Sequence, residues 1–206
     1  MIRLAAKRII DLALAIPSLM VLSVPFLLIG ALIKLDSKGP VFFRQERVGF
    51  RGQLFRPWKF RTMVVNAENI GLGVNVSIND DRICRMGKLL RNWGLDELPQ
   101  LLNVVKGDMS LVGPRPTLLY QVEQYDDLQR RRLLVKPGVT GWALVNGRNL
   151  LTWQERIQRD VWYVDNWSIS LDVKILFRTL WVVLVTREGI YGEGGVNDDF
   201  QSTSTP

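Results

Sequence analysis

The longest hydrophobic run in the chain lies near its N-terminus, where residues 12–33 contain no charged side chain. A helix of this length rises about 33 Å, and the hydrocarbon core of a bilayer is about 30 Å thick. A signal peptide has a shorter apolar region of about 7 to 15 residues followed by an Ala-x-Ala-like cleavage site. No such site is found here, so the pattern predicts a helical membrane segment of the mature protein.

Two features of this segment indicate how it meets the bilayer. Pro17 and Pro25 each remove a backbone donor and favour a bend in the helix. The positive-inside rule draws both ends to the cytoplasmic side, because both ends are basic. The basic residues are Arg3, Lys7 and Arg8 before the segment and Lys34 and Lys38 after it. We therefore expect a re-entrant helix hairpin that bends near Pro25, with a kinked single span as the alternative.

Asp11 lies at the start of the segment. An unpaired charge at the centre of a bilayer costs about 2.5–3.5 kcal/mol even on lenient scales, so Asp11 is expected near the interface. Lys7 and Arg8 precede it by about one helical turn, which is the spacing at which side chains on a helix pair. Asp11 can therefore pair with one of them, and deeper burial would require another partner.

Beyond residue 36 the pattern changes to short apolar runs separated by turn residues. Residues 41–48, a turn at 49–52 and residues 54–60 predict a small β-hairpin, with Pro57 at an edge. Later apolar periodicity predicts helices at 83–91, 95–107, 150–166 and 171–186. The last helix has too short an uncharged run to cross a bilayer, so it packs internally or lies flat as an interfacial amphipathic helix. The predicted fold class is α+β and mainly helical.

No repeat and no linker divides the chain, so we expect one domain with three parts. Residues 1–36 form the re-entrant membrane anchor, residues 37–191 form the cytosolic part, and residues 192–206, rich in Gly, Ser, Thr and Asp, form a flexible tail.

Composition narrows the chemistry. The chain has no histidine and a single cysteine, Cys84, which excludes Ser-His and Cys-His catalysis and any intrachain disulfide. The formal net charge of +7 favours an anionic partner: nucleic acid, an acidic bilayer surface or a phosphorylated small molecule.

Two local patterns suggest where such a partner binds. Asp96 suits the N-cap of the predicted helix at 95–107, and capping explains it better than catalysis does on pattern alone. The two interpretations are compatible, because a helix N-terminus attracts phosphate. Two Gly and two Pro fix the backbone around Arg115 in the loop at 107–116, and a rigid guanidinium suits phosphate oxygens, although a surface salt bridge explains it equally well. Residues 136–149 make a second glycine-rich basic loop that carries Arg148.

Several motifs occur in one order along nearly the whole chain. They are Lys7-Arg8-x-x-Asp11, KFRTM at 59–63, LDELPQ at 95–100, GDMSLVGPRP at 107–116, KPGVTGW at 136–142 and VNGRN at 145–149. Together they resemble those of the bacterial sugar transferases, the monotopic polyprenyl-phosphate phosphoglycosyl transferases, in the form of the minimal catalytic unit. Leu144 stands where many members have Gln, and Gly94 where Ser is common.

The resemblance implies an enzyme that transfers a sugar 1-phosphate from a nucleotide diphosphate sugar, usually a UDP-sugar, to undecaprenyl or another polyprenyl phosphate, with release of UMP. This is the first membrane step of bacterial glycoconjugate assembly. The family's acidic dyad maps onto Asp96 and Glu97. It makes Asp96 the nucleophile that carries the phosphosugar and the ligand of Mg²⁺. The substrate-binding residues it implies are Lys59, Arg61, Arg91, Arg115 and Arg148.

The implied partners are a nucleotide-sugar donor, a polyprenyl phosphate acceptor and membrane lipid, with no nucleic acid, and homodimer formation is left open. The implied location is the bacterial inner membrane, with the catalytic part facing the cytoplasm. The alternative is a non-enzymatic, membrane-anchored basic protein that binds anionic lipid or nucleic acid. The sugar, the glycan pathway, the polyprenol length and the role of Glu97 are left open by the sequence.

Overall fold

The computed structural model describes residues 2–71, 73, 75–77 and 80–186, so the predicted flexible tail at 192–206 lies outside the described residues. The helices are α1 (Ile2–Asp36), α2 (Arg85–Asn92), α3 (Leu101–Lys106), α4 (Leu119–Glu123), α5 (Asp127–Arg130), α6 (Trp142–Val145), α7 (Trp153–Asn166) and α8 (Ile169–Trp181). The strands are β1 (Phe42–Phe43), β2 (Arg47–Val48), β3 (Leu54–Phe55), β4 (Lys59–Phe60), β5 (Ser110–Val112) and β6 (Gly138–Thr140). Short 3-10 turns lie at Phe50–Gly52, Ala67–Asn69, Leu95–Gln100, Arg131–Leu134 and Arg148–Leu150, and a π-helical turn, Val182–Thr186, continues α8. The predicted α+β, mainly helical class is confirmed.

The predicted β-hairpin is present as two short antiparallel ladders. Strand β1 pairs with β4, with Phe42 opposite Phe60, and β2 pairs with β3 nearer the turn. The ladder is interrupted around Pro57, which has no N–H to donate. Strand β4 packs against the 3-10 turn at Leu95–Gln100, so the hairpin places Lys59 beside that turn.

Strands β5 and β6 form a parallel pair that the sequence did not predict. Ser110 lies opposite Gly138 and Val112 opposite Thr140. The backbones come so close that a Cβ on Gly138 would lie 2.1 Å from the nitrogen of Gly113. Only glycine fits such an approach, so the two glycine-rich loops are glycine-rich because they pack on each other.

The N-terminal part of α1 is bound to the rest of the protein by its charged residues. Lys7 forms an ion pair with Asp172 of α8, and Arg8 donates to the last carbonyls of α3. The Asp11 carboxylate is buried and accepts a 3.0 Å hydrogen bond from the backbone N–H of Leu111. Asp11 is thus buried and has the other partner that deeper burial requires, and it does not pair with Lys7 or Arg8, which also have partners outside α1.

The C-terminal end of α1 is bound to the same body. Asp36 accepts a hydrogen bond from the backbone N–H of Met86 at the start of α2. The buried Arg61 guanidinium donates to the carbonyls of Ser37, at 2.7 Å, and Lys38, at 2.6 Å. A cation at this end also suits the negative end of the helix dipole.

One face of α1 packs on the body along its length, and the opposite face is exposed. The packed residues recur at intervals of three and four: Ala15, Leu19, Leu22, Phe26, Ile29 and Ile33. Large apolar side chains on the other face remain at least three-fifths exposed: Met20, Val21, Val24, Leu27 and Leu28. Among the described residues, this helix is the one long and apolar enough to cross a membrane.

Helix α1 continues through Pro17 and Pro25 as one α-helix. The structure therefore has a single helix where the sequence predicted the two helices of a hairpin. The contacts of its packed face compensate for the donors that the two prolines remove, since tertiary packing rather than propensity decides helix stability.

Arg61→Met is expected to destabilise the protein, because the carbonyls at the end of α1 would lose a charged donor. Hydrogen bonds to charged groups contribute about 1.5–3 kcal/mol, and the melting temperature in detergent should fall accordingly. The exposed Arg85 provides a matched control, because Arg85→Met changes charge and volume equally but should stay within about 0.5 kcal/mol of the wild type. An unchanged melting temperature for Arg61→Met would contradict this structural role.

Candidate active site

A cavity of about 700 Å³ lies between the hairpin, the 3-10 turn at Leu95–Gln100, the two glycine-rich loops and α8. Its lining includes every residue that the sequence implicated: Lys59, Arg61, Arg91, Asp96, Glu97, Arg115 and Arg148. The cavity is large enough for a small molecule of nucleotide-sugar size.

The acidic dyad lies inside the 3-10 turn and not at the start of an α-helix. Gly94 precedes the turn with a φ of 64°, a left-handed conformation that glycine adopts without strain. A Cβ there would meet nothing within 4 Å, so Gly94 is required for its backbone conformation and not for space. The predicted N-cap role of Asp96 is wrong, because the turn begins at Leu95 and its first backbone groups are not capped by a side chain.

Glu97 is held by two cations. Lys59 donates to Oε1 at 2.8 Å, and Arg115 donates to both carboxylate oxygens, at 2.6 and 3.0 Å. Burial alone would raise the pKa of Glu97, but Arg115 and Lys59 together hold this pKa well below its usual value. Glu97 is therefore an ionised, fully engaged carboxylate.

Asp96, unlike Glu97, is not ion-paired within the described residues. Its carboxylate has no hydrogen bond or ion pair to any side chain or backbone group in the described part of the chain. Burial, and after it the charge of Glu97, raise the pKa of Asp96, while Lys59, Arg91 and Arg115 oppose the rise. The dyad thus consists of Glu97, which is ion-paired, and Asp96, which is unpaired among the residues that the structure describes and faces the cavity.

Further cations surround the dyad. Arg91 is oriented by a 2.8 Å hydrogen bond from Nε to the hydroxyl of Thr62. Arg148 has a left-handed backbone, with a φ of 51°, and burial and then Arg115 lower its pKa. Arg47 was missed by the sequence analysis; burial and then Arg115 lower its pKa to about 10. Crowded cations of this kind repel one another, and a multiply charged anion relieves that repulsion.

A second buried group supports Arg115 from behind. Arg132 donates to the carbonyl of Arg115 at 2.9 Å, to the hydroxyl of Tyr125 at 2.6 Å and to the carboxylate of Asp160. No motif pointed to this group, although Asp160, a charged residue at a buried position of the α7 periodicity, is a signal in the sequence. The contacts fix the backbone of Arg115 while its side chain reaches Glu97.

Arg61 lines the cavity, but its guanidinium is bound to the carbonyls at the end of α1. These contacts give it a structural task, and its predicted role in substrate binding gains no support from them. Arg82 likewise turns inward, where it pairs with Asp80 and donates to four loop carbonyls. That loop forms one wall of the cavity.

The carboxylates suited to a metal are few. Within residues 2–71, 73, 75–77 and 80–186, no group of three or more Asp, Glu, His or Cys side chains converges. Asp96 is the carboxylate of the dyad that is free to bind a cation. Mg²⁺ often takes only one or two protein carboxylates and completes its shell with phosphate oxygens and water, so this donor set fits Mg²⁺ together with a phosphorylated substrate.

Comparison with known proteins agrees with this geometry. Residues 2–186 match the family model described as bacterial sugar transferase. The chain belongs to the bacterial sugar transferase family. The match includes α1, the dyad and both glycine-rich loops, so the anchor and the cavity are parts of one family unit.

Individual relatives extend the comparison. The uncharacterized sugar transferase EpsL of Bacillus subtilis is 49% identical over 184 residues, which are 89% of each chain. The UDP-glucose:undecaprenyl-phosphate glucose-1-phosphate transferase of Escherichia coli is 41% identical over 88% of the present chain. The undecaprenyl-phosphate galactose phosphotransferase of Salmonella typhimurium is 41% identical over 90% of the present chain. The matched regions are only 40% and 41% of the latter two proteins' lengths.

Proposed function

We propose that this sugar transferase moves a sugar 1-phosphate from a nucleotide diphosphate sugar, specifically a UDP-sugar, to undecaprenyl phosphate. The names of the Escherichia coli and Salmonella typhimurium relatives support the reaction and the acceptor. The observation that carries the proposal is the Asp96 carboxylate, unpaired with any described residue, beside the ion-paired Glu97 in a cationic cavity. A protein that only bound anions would need neither carboxylate there.

The reaction runs in two displacements at Asp96. A carboxylate oxygen of Asp96 attacks the sugar-bearing phosphorus, the bond from that phosphorus to the bridging oxygen breaks, and UMP leaves with the electron pair. An oxygen of undecaprenyl phosphate then attacks the same phosphorus and releases Asp96 as a carboxylate. The product is a lipid-linked diphosphosugar, and the enzyme is restored.

The surrounding cations stabilise charge during both displacements. Phosphoryl transfer depends mainly on positioning and on neutralising phosphate charge, so it does not require an imidazole. Arg91 and Arg148 lie near Asp96 and suit the donor diphosphate, whereas Arg115, whose two-pronged donor is bound to Glu97, contributes its positive charge. The absence of histidine from the chain is consistent with this chemistry.

The role proposed for Glu97 is to position Lys59 and Arg115. Its carboxylate accepts hydrogen bonds from both cations, and its charge raises the pKa of Asp96. A raised pKa makes the ionised Asp96 a better nucleophile, provided that the pH is high enough to deprotonate it.

Mg²⁺ is the proposed cofactor, and Asp96 is its proposed protein ligand. When bound, Mg²⁺ supplies charge neutralisation to the diphosphate oxygens of the donor. Asp96 would hold the ion, while Arg91 and Arg148 would bind the remaining phosphate charge.

We also propose that α1 enters and leaves the bilayer on its cytoplasmic side. A helix of its length spans about 50 Å if straight, yet both of its ends are bound to one body. A transmembrane orientation would pull one docked end away from that body. The exposed apolar face of the helix would then contact lipid while the catalytic part faces the cytoplasm.

Asp96→Asn is expected to abolish formation of the phosphosugar adduct. With a UDP-sugar and Mg²⁺ but no acceptor, the wild type should release roughly one equivalent of UMP and gain the mass of one phosphosugar, because the covalent step needs no lipid. Intact-protein mass spectrometry and a UMP assay measure both quantities. Asp127→Asn is the control on an exposed carboxylate. Full turnover by Asp96→Asn would refute the nucleophile assignment.

Glu97→Gln is expected to move the acidic limb of the pH–rate profile to lower pH and to lower the maximal rate. Activity requires ionised Asp96 and is lost as pH falls through its raised pKa. The substitution removes the Glu97 charge and frees Lys59 and Arg115, and all three changes lower the pKa of Asp96. Rates of adduct formation between about pH 4 and pH 8 test this. An acidic limb that moves to higher pH would contradict the assigned coupling.

The topology is tested by cysteine labelling in a Cys84→Ser background. Ile2→Cys and Lys38→Cys should both react with a membrane-impermeant maleimide in inside-out vesicles, and neither should react in intact cells. Leu27→Cys, at the centre of the exposed apolar face, should be protected in both preparations. Labelling of the two end positions from opposite sides would establish a single span instead.

A further inference from the structure

The cavity that contains the dyad continues along one face of α8 and the π-helical turn. The residues of α8 and the turn that line it are Leu176, Thr179, Leu180, Val183 and Leu184. Their spacing of three, one, three and one places them on a single helical face, which we call the cavity stripe. Except for Thr179 the cavity stripe is aliphatic, and it therefore gives the cavity one apolar wall.

The cavity stripe is connected to the dyad through strand β6. The hydroxyl of Thr179 lies 2.6 Å from the hydroxyl of Thr140 in β6, and β6 packs against the 3-10 turn that carries Asp96. One strand thus separates the helix from the nucleophile. The charged end of the cavity and its apolar end belong to one continuous space.

A second apolar stripe runs beside the first but faces away from the cavity. It consists of Phe177, Trp181 and Val185, which are between 55% and 71% exposed and do not line the cavity. Leu180 and Leu184 are exposed to a similar degree, 58% and 57%, although they do line it. The helix therefore presents apolar surface to two different environments, one outside the protein and one inside the cavity.

The substrates differ in what they require of such a wall. A nucleotide sugar is polar or charged along its whole length, whereas a polyprenyl phosphate joins an anionic head to a long hydrocarbon chain. The cations around Asp96 match the head, and the cavity stripe matches the beginning of the chain. When a ligand covers exposed aliphatic side chains, the binding free energy becomes more favourable in proportion to the apolar area buried.

The cavity stripe also begins near the membrane anchor. Leu176 packs against the same core cluster as Leu19 and Leu22 of α1, and the opposite face of α1 is the exposed apolar face. The Leu176 end of the cavity stripe therefore lies beside the helix whose opposite face is proposed to contact lipid.

We propose that the cavity stripe, and Leu180 and Leu184 in particular, binds the isoprene units next to the phosphate of the polyprenyl phosphate acceptor. This inference rests on the proposed function and adds the site at which the hydrocarbon of the acceptor is recognised. The stripe acts only in the second displacement, after UMP has left.

The test compares Leu180→Ser/Leu184→Ser with Phe177→Ser/Trp181→Ser, a matched double substitution on the outward stripe. Each is assayed in detergent with UDP-sugar, Mg²⁺ and either undecaprenyl phosphate or a soluble acceptor of two isoprene units. Because the four side chains are exposed, neither double variant should lose its fold, and melting temperatures verify this.

Leu180→Ser/Leu184→Ser is expected to raise the KM for undecaprenyl phosphate about tenfold while acceptor-free UMP release and the donor KM keep their wild-type values. The effect should be smaller for the two-unit acceptor, which covers less of the stripe. Phe177→Ser/Trp181→Ser should leave the acceptor KM within about twofold of the wild type, because its residues lie outside the cavity.

Other outcomes would overturn the inference. An increase in the donor KM alone would assign the stripe to the nucleotide sugar, and equal losses in both double variants would mean that α8 contacts only bulk lipid. An unchanged acceptor KM would exclude the stripe from acceptor binding. Failure of the proposed covalent route appears separately, as a wild type that releases UMP only when acceptor is present, and the acceptor KM comparison still decides the role of the stripe in that case.

Discussion

The ion pair between Arg115 and Glu97, extended by Lys59, is the interaction on which the site depends. It joins three parts of the chain that are distant in sequence: the end of the hairpin, the 3-10 turn and the first glycine-rich loop. The Glu97 side chain is 18% exposed, whereas that of Arg115 is 52% exposed. A carboxylate that has lost most of its hydration needs good geometry and additional hydrogen bonds, and the two-pronged contact from Arg115 with Lys59 alongside provides both. Because Lys59 and Arg115 bind Glu97, they do not form an ion pair with Asp96. The Asp96 carboxylate therefore remains available to the substrate.

The rest of the fold keeps these three parts in place. Gly113 and Gly138 let two backbones approach so closely that the parallel pair forms without side chains between them. Arg132 then fixes the carbonyl of Arg115 from below, and its own charge is balanced by Asp160. Backbone packing and buried polar contacts thus set the direction of the guanidinium before any substrate arrives, which is the preorganisation that electrostatic catalysis requires.

Much of this architecture was predictable from local patterns. The hairpin, the apolar α1 and the helices α2, α3, α7 and α8 follow from periodicity and turn residues, which act over a few positions, whereas the short helices α4, α5 and α6 were not predicted. The pairing of β5 with β6 did not follow, because strands of three residues have no pattern of their own. Asp96 has the residue type of an N-cap, but the left-handed Gly94 starts a 3-10 turn instead. Arg47 and Arg61 look alike in sequence, and only tertiary contacts send one to the dyad and the other to the end of α1.

Helix α1 combines an exposed apolar face with a packed face that is part of the domain core. Its packed face supplies Ala15 and Ile33 to two separate core clusters, and its ends are fastened through Asp11 and Asp36. Trimming the apolar segment to obtain a water-soluble catalytic fragment would consequently open both clusters to solvent. Purification of this enzyme in a native state should therefore use an amphiphile that covers the exposed apolar face of the helix while leaving its packed face in place.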